Sequence, residues 1–476
     1  MGLKKNIISN AVLTTSSVFI SFITFPYVTR TLSAGNMGSV LFVDAFTQYF
    51  IIFSSLGIPF YGVREIAKLK GNHEEQSRLV ISLVSLQFLL SVILSVSFIA
   101  ASYFIPALGN NSDLVLLGCL SILATSFSIE WFYQGIENFA YITKRSLIIR
   151  VLSVIAILIV IKRADDHYWY YLIMFSVIFL NAALNFGNYL WKFFKKFGGS
   201  IVITKHFRPL MVLFSINISV SIYTILDTII LGLFTDPVNV SYYSIPLKLV
   251  KIVWVVVGGF SVVLIPRISQ YYHANNMEQV SALLKKSLSL VFLLTIPFAF
   301  FCIFFTDEIL IAVFGREYLP AATSLRILSS IPMIIGACNV FGTQFLLPIG
   351  QEKKILRATV FGLVTSLALN FLLIPQFKHV GSSIACIFAE LVVCFYVYLK
   401  AKSRIAIGFD YSLVLLTVLS SLISIAAGLF LKGYLANYYL LITICMVYVL
   451  VFAILQFIIF KNQFIYYLIR VKKEES

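Results

Sequence analysis

The sequence places a few charged residues inside long apolar segments, where an unpaired charge is costly and therefore points to function. Arg30 ends the first of these segments and Asp44 lies in the second. A similar arrangement returns later in the chain, where Asp227 lies near the end of one segment and Lys248 and Lys251 near the start of the next. Two cations on nearly the same helix face cannot both be neutralised by Asp227. These residues predict a site for an anion within the membrane.

A second set of charges lies in the opposite half or in the middle of the apolar segments. Glu130 and Arg150 are at matching depth on neighbouring helices, which predicts an ion pair, and Glu390 lies near the middle of a later segment. Together with Asp44 and Asp227, these three residues are candidates for ion coupling or for charge pairing within a cavity. The alternative is that each is a structural ion pair or a snorkelling residue at a helix end.

Nucleotide, metal and disulfide chemistry are not indicated. No GxxxxGK[ST] motif occurs, so ATP is not expected to be the direct energy source. The six cysteines lie in apolar segments without a CxxC pair or a nearby His cluster, which argues against a disulfide framework and against a metal site. The connecting loops are short and leave no room for a globular catalytic domain. The sequence therefore predicts that the protein is not an enzyme and needs no cofactor.

The elements that must position these charges are membrane-spanning helices. Of the 476 residues, 60% are hydrophobic and 12% are charged, and the mean hydropathy is +0.96, which is far above the range of a soluble domain. Since about 20 apolar residues span a bilayer, the sequence predicts an all-α polytopic membrane protein with about 14 transmembrane helices. The predicted spans are residues 9–29, 38–58, 80–104, 114–134, 146–161, 167–190, 209–232, 243–265, 287–305, 325–348, 356–375, 381–400, 411–431 and 438–460.

The distribution of Lys and Arg predicts the direction of these spans. With the N-terminus inside, 26 of the 36 Lys and Arg residues fall on the cytoplasmic side, including the loops Arg64–Arg78 and Lys192–Arg208. Positively charged loops resist translocation, so both termini are predicted to be cytoplasmic. The same rule accounts for the net charge of +16 without a nucleic-acid partner.

A weak internal repeat predicts the domain organisation. When the chain is shifted by 202 residues, the spans and their Gly and Pro positions align approximately. Repeated halves of this kind are how many secondary transporters build a central pathway. The sequence therefore predicts a six-helix half at 1–200, a second at 201–405, and two additional helices with a cytoplasmic tail at 406–476.

Several short sequence motifs resemble those of a known family. The chain resembles the polysaccharide flippases (Wzx type) of bacterial O-antigen, capsule and exopolysaccharide synthesis, within the superfamily that includes peptidoglycan-precursor flippases and multidrug and toxin extrusion antiporters. The motifs lie mainly in the first 150 residues, with looser matches at Asp227 and Glu390. The main motifs are Phe25–Leu32, Gly57–Pro59, Gly62–Ala67, Glu130–Gly135 and Tyr141–Thr143.

The resemblance implies a transporter that flips undecaprenyl-diphosphate-linked oligosaccharide from the inner to the outer leaflet of the bacterial cytoplasmic membrane. Alternating access driven by a proton or sodium gradient is the implied mechanism. Membrane lipid is an implied partner, and a polysaccharide polymerase and glycosyltransferases are expected in the same pathway. On this interpretation Arg30, Arg64, Lys248 and Lys251 are candidates for the diphosphate. Asp44 would serve ion coupling or hold the cations in place, and the same is implied for Asp227.

Two other classes compete with a flippase. A cation-coupled antiporter of the multidrug and toxin extrusion type needs a net acidic cavity. Here the charges within the spans are balanced, and they lean basic only through Arg30 and Arg64 at the span borders. A membrane enzyme needs an outer acid/base or metal constellation, which the short outer loops disfavour. The aromatic run Glu130–Tyr133 is best explained by packing, although it could line a sugar path.

Overall fold

The computed structural model describes residues 16, 20, 23–196, 198, 204–432 and 439–459. The chain forms two compact units, Met1–Ser241 (unit 1) and Tyr242–Ser476 (unit 2). The described residues are largely helical and contain no strand, which confirms the predicted all-α membrane fold. The domain boundaries inferred from the repeat stay a prediction.

Unit 1 consists of long apolar helices joined by short turns. Residues 23–31 are helical ahead of the first complete helix. Polar side chains define where helices begin: Ser33 Oγ accepts a hydrogen bond from the Asn36 N–H at 3.2 Å, and Asn72 Oδ1 accepts one from the Glu75 N–H at 3.1 Å. The helices are α1 (Ala34–Ser55), α2 (Ile58–Lys68), α3 (His73–Phe104), α4 (Ser112–Thr125), α5 (Glu130–Gly135), α6 (Phe139–Val160), α7 (His167–Lys192) and α8 (Thr204–Phe234), with a single helical turn at Pro106–Gly109.

Unit 2 begins within a long helix and has more irregular segments. Its helices are α9 (Pro237–His273, which starts in unit 1), α10 (Met277–Phe304), α11 (Ala322–Leu328), α12 (Ile331–Asn339), α13 (Glu352–Lys402), α14 (Tyr411–Lys432) and α15 (Tyr439–Ile454). Shorter helical turns connect them at Thr306–Ile309, Leu310–Phe314, Arg316–Ala321, Val340–Leu346 and Leu455–Ile459.

Helix α13 consists of two segments that fold back on each other. The break is at Lys378, whose φ of 49° and ψ of −127° are not helical. The return is tight: a Cβ added to Gly381 would lie 2.6 Å from the Leu373 carbonyl oxygen, so only glycine fits there. This break separates the predicted spans 356–375 and 381–400.

Among the described residues, nine helical stretches are long and apolar enough to cross a membrane. They include α3, α7, α10 and α14, at the places where the hydropathy predicts spans, and both segments of α13 are contained in one stretch. The predicted spans 9–29 and 438–460 lie partly outside the described residues, as do side chains of 209–232 and 243–265.

Candidate functional site

A cavity with a mainly apolar lining and a few polar side chains lies in unit 1, beside Asp44. The carboxylate is half-buried on α1, ten residues after the start of the helix. Together with Thr47 and Gln48 of α1, Ser121 of α4 and Tyr171 of α7, it lines a cavity of about 270 Å³. Gln48 Nε2 donates a hydrogen bond to Asp44 Oδ1 at 3.4 Å. Three helices thus bring a carboxylate, an amide and hydroxyl groups to one cavity.

The hydroxyl groups around this cavity form a short chain. Thr47 Oγ1 donates to the Val43 carbonyl at 2.9 Å, so its contact of 2.9 Å with the Tyr171 hydroxyl is one that Tyr171 donates. Gly118 of α4 makes this approach possible, because a Cβ there would lie 2.4 Å from Thr47 Oγ1. The negative charge of Asp44 also acts on Tyr171. Such an arrangement of oxygens can accept a proton or a small monovalent cation.

Asp227 is buried on α8 of the same unit. Its exposed fraction is 2%, and the following residues of the helix are buried as well. A Cβ added to Gly232 would lie 2.2 Å from Phe42 Cδ2. The missing side chain therefore allows α8 to pack closely against α1.

Glu130 forms a different ion pair from the one that the sequence predicts. Glu130 Oε1 lies 2.7 Å from Arg145 Nη2, with side-chain exposures of 37% and 5%. Arg145 Nη2 also donates to Ser146 Oγ at 3.2 Å, and the guanidinium lies 5.7 Å from the Tyr141 ring centroid. Arg150 instead donates from Nη1 to Ser16 Oγ at 2.8 Å. Arg150 nevertheless interacts with the charge of Glu130, so the predicted coupling of these two residues stays a prediction.

Arg145 is the functional candidate that the sequence reasoning missed. Hydropathy assigns it to a cytoplasmic loop before a span at 146–161, because charged residues end an apolar window. The helix actually begins at Phe139, which places Arg145 within its second turn, where it is buried. Its distance of 15 residues from Glu130 carries no helical periodicity, so only the tertiary structure brings them together.

The aromatic run after Glu130 is part of the core of unit 1. Trp131, Phe132 and Tyr133 are at most 4% exposed. The Tyr133 hydroxyl donates to the Asn185 carbonyl at 2.8 Å and accepts from Asn188 Nδ2 at 2.9 Å. These side chains pack and fix α5 against α7.

The two predicted diphosphate residues of unit 1 are both exposed. Arg30 lies near the end of the helical segment 23–31. Arg64, on α2, forms an ion pair with Glu65 at 3.0 Å and lies 5.5 Å from the Tyr61 ring centroid. Glu65 also accepts from Lys68 at 3.0 Å, so this carboxylate already holds two cations.

The two predicted lysines of unit 2 lie on α9. Lys248 is exposed and Lys251 is half-buried. The three-residue spacing within one continuous helix places them on neighbouring positions of its surface, as predicted. Their role in binding a diphosphate stays a prediction.

Glu390 is buried in the second segment of α13, with an exposed fraction of 4%. Its charge acts on the thiols of Cys338 of α12 and Cys394 of α13. Both cysteines are free thiols. Among the residues that the structure describes, no group of three or more His, Cys, Asp or Glu side chains could hold a metal ion.

Comparison with known proteins gives two family matches and several relatives. The family model described as "Polysaccharide biosynthesis protein" matches residues 3–272, and the one described as "MatE" matches residues 213–372. A protein of Escherichia coli strain K12 named "Putative O-antigen transporter" is 24% identical over 400 residues, which cover 83% of this chain and 95% of that protein. A Haloferax volcanii protein named "Probable low-salt glycan biosynthesis flippase Agl15" is 31% identical over 203 residues, which cover 42% of each chain.

A solved structure shares the fold. The lipid II flippase MurJ in an inward closed conformation superposes with a TM-score of 0.74 and covers 96% of this chain and 99% of its own. The sequence identity is 15%, so this likeness concerns the fold alone.

Proposed function

Because the chain belongs to the polysaccharide biosynthesis protein family, we propose that it flips a lipid-linked oligosaccharide across the membrane that its helices span. The substrate in this proposal is an oligosaccharide on undecaprenyl diphosphate, which moves from the inner to the outer leaflet of the bacterial cytoplasmic membrane by alternating access. The coverage of most of the chain by a relative named as an O-antigen transporter supports this substrate class.

The observation that carries the proposal is the cavity beside Asp44, where a carboxylate and hydroxyl groups lie among apolar side chains. An ionisable residue inside a bundle of apolar helices commonly marks a ligand site or an ion pathway, because its burial is costly. No phosphate-binding loop motif for ATP occurs in the sequence. An ion gradient is therefore the energy source that fits this interior best.

We assign ion coupling to the Asp44 cavity. The carboxylate can bind a proton directly, or it can bind Na⁺ with the hydroxyl oxygens of Thr47 and Tyr171 completing the shell. Either ion removes the negative charge from a site of low polarity, so occupancy and conformation become linked.

The direct test is flipping in proteoliposomes with an imposed ion gradient. Purified protein is reconstituted with a fluorescent undecaprenyl-diphosphate oligosaccharide, and an impermeant quencher reports the fraction in the outer leaflet. We expect the wild type to accelerate flipping, and Asp44→Asn to lose the response to the gradient. The matched control is Asp113→Asn, an exposed carboxylate in the first turn of α4, which should keep it. A wild type that does not accelerate flipping overturns the proposed function, and a gradient response in Asp44→Asn overturns the coupling site alone.

The diphosphate is the second ligand in this proposal. It retains about two negative charges, and its transfer from water is tolerable only where fixed cations replace the lost hydration. We propose that Arg30, Arg64, Lys248 and Lys251 supply such cations. Arg64 is the weakest candidate of the four, because Glu65 already pairs with it.

Substitutions at these positions separate charge from geometry. Arg30→Lys keeps the charge but loses the bidentate fork, so it should impair flipping less than Arg30→Ala without restoring it fully. For Lys248, the alternative role is the neutralisation of Asp227. Wild-type polysaccharide export by the double variant Asp227→Asn with Lys248→Gln would establish that structural role and exclude binding of substrate by Lys248.

The proposal includes a topology with both termini in the cytoplasm. Cysteine labelling tests it, after replacement of the six natural cysteines. A single cysteine placed in the loop between α7 and α8 should not react with an impermeant thiol reagent in intact cells. Reaction of this cysteine with the external reagent would show that the loop faces outward and that the proposed orientation is wrong.

A cation-coupled antiporter is the second candidate, favoured by the match of residues 213–372 to the "MatE" family. It would export a cationic small molecule and exchange it for the ion bound at Asp44. Drug-sensitive cells that express the chain distinguish the two: a raised resistance to cationic dyes, without a defect in polysaccharide export on deletion, would favour the antiporter.

A further inference from the structure

The two ends of α13 lie side by side at one end of unit 2. The segments that meet at Lys378 fold back on each other: the rings of Phe361 and Tyr396 are 5.3 Å apart, and a Cβ added to Gly362 would lie 2.4 Å from Val393 Cγ2. The first turns of α13 therefore lie beside its last turns. Both of these regions are rich in Lys and Arg.

Four of these cations form a cluster of like charge, which is called the basic rim below. The charges of Arg404, Lys400 and Arg357 all act on the ammonium group of Lys354. In the described part of the chain, none of the four takes part in an ion pair. The Nζ of Lys400 lies 5.2 Å from the Tyr396 ring centroid. Repulsion within such a cluster is relieved when an anion binds.

The basic rim adjoins a surface that faces acyl chains. Immediately beyond Arg357, Val360 and Phe361 are each 49% exposed, and Phe395 and Leu399 of the returning segment are 62% and 45% exposed. In a membrane-spanning protein such side chains contact lipid tails. The cations one turn away are then at the depth of the headgroups, where Tyr side chains are also typical.

A groove continues from the basic rim. Arg404, Lys285 and Ser281 line it together with apolar side chains and one carboxylate, Glu278, and its volume is about 550 Å³. Ser281 Oγ donates to the Ala406 carbonyl at 2.6 Å, which holds the loop after α13 against α10. Lys285 adds a fifth cation, so positive charge prevails along the groove.

We propose that the basic rim and its groove bind the headgroup of an anionic phospholipid. The phosphodiester accepts hydrogen bonds from the forked guanidinium groups of Arg357 and Arg404, while Lys354 and Lys400 supply point charges. The exposed apolar side chains next to the rim contact the acyl chains of the same lipid. A soluble phosphate would use the cations but not this apolar surface. The site is on the cytoplasmic side in the proposed topology, although lipid binding itself does not depend on flipping.

Retention of lipid by the full-length protein tests this assignment. The protein is reconstituted into vesicles of equal parts phosphatidylethanolamine and phosphatidylglycerol, extracted with a mild neutral detergent, and analysed for bound lipid by mass spectrometry. The rim variant carries Lys354→Gln, Arg357→Gln, Lys400→Gln and Arg404→Gln. We expect it to retain about tenfold less phosphatidylglycerol than the wild type, with phosphatidylethanolamine unchanged.

The control variant removes the same charge elsewhere, at exposed cations of unit 1 that lie outside the basic rim. It should retain phosphatidylglycerol as the wild type does. Equal retention by the rim variant, or an equal loss in the control, overturns the proposal. So does displacement of the lipid by soluble inorganic phosphate at constant ionic strength. The control substitutions are Lys68→Gln, Lys70→Gln, Lys144→Gln and Lys192→Gln.

A smaller change keeps the proposal testable if the rim variant does not fold. Arg357→Gln with Arg404→Gln removes both forked donors and should still lower the retained phosphatidylglycerol severalfold. In the wild type, retention should fall as the salt concentration rises, because the cations are at the surface and are screened. Retention that does not change with salt would mean that acyl contacts alone bind the lipid, which overturns the role of the cations.

Discussion

The ion pair between Glu130 and Arg145 predicts a measurable coupling energy. The Arg145 side chain is 5% exposed and that of Glu130 is 37% exposed, so the guanidinium is desolvated while the carboxylate keeps contact with its surroundings. Breaking a buried pair costs about 3–5 kcal/mol, and an exposed pair contributes about 0.2–1 kcal/mol. A pair with one buried member lies between these limits. We expect Glu130→Gln to lower the free energy of unfolding by about 1–3 kcal/mol.

The double-mutant cycle isolates the pair from the other contacts of Arg145. Arg145→Gln also loses the hydrogen bond to Ser146 and the contact with the Tyr141 ring, so it should destabilise at least as much as Glu130→Gln. The double variant should be milder than the sum of the two, with a coupling energy of about 1–2 kcal/mol. Unfolding in mixed detergent, followed by circular dichroism, measures the three variants against the wild type.

Arg150 provides the matched comparison, since it is an arginine on the same helix. Its guanidinium interacts with the charge of Glu130 and donates to Ser16. The cycle of Glu130→Gln with Arg150→Gln should therefore give a smaller coupling energy than the cycle with Arg145. Additive effects of Glu130→Gln and Arg145→Gln would refute the pairing of these two residues. A larger coupling energy with Arg150 than with Arg145 would favour the pair predicted from the sequence.

Two further predictions concern unit 1. Gly118→Val places a Cβ 2.4 Å from Thr47 Oγ1, so thermal unfolding should show a destabilisation of about 1–3 kcal/mol, and the gradient response of flipping should fall. Hydrogen bonds from the backbone N–H groups of Lys162 and Arg163 lower the pKa of the Asp166 carboxyl. The stabilisation of the fold by these bonds is therefore present above the unfolded-state pKa of about 3.9. It is lost as the pH falls through the lower pKa of the folded state. Asp166→Ala should lower Tm at neutral pH and have no effect once the wild-type carboxyl is protonated; an unchanged difference at low pH would contradict this.

The positions of the helices could be predicted from hydropathy, but their ends could not. Helix α3 contains the predicted span 80–104, yet it begins at His73. The additional turns are polar, and they are stabilised by the Asn72 cap and by Glu74 and Glu75 next to the positive end of the helix dipole. A hydropathy window registers only the part of a helix that lies in lipid, so it ends where the side chains become polar.

The charged site could be predicted only in part, because residue type and depth say nothing about direction around a helix axis. Asp44 lines a cavity in its unit, as expected for a charge within a span. The cavity hydroxyls of Thr47 and Tyr171, however, belong to residues that are common in helices and carry no signal of their own. The partner of Glu130 was missed for the same reason, since Arg145 is selected by the rotation of α6 and not by its spacing in the sequence.

Some of the motifs that carry the family resemblance have a role in packing, beside the proposed role of Arg30 and Arg64 in binding the diphosphate. Two of them meet in space: a Cβ added to Gly62 would lie 2.3 Å from Trp131 Cε3, and one added to Gly135 would lie 2.7 Å from Ile66 Cγ2. The segments Gly62–Ala67 and Glu130–Gly135 thus fix α2 against α5 through two glycines that permit close contact. Exchanging only one of these two segments with that of a relative should therefore lower the thermal stability, because the two segments pack against each other.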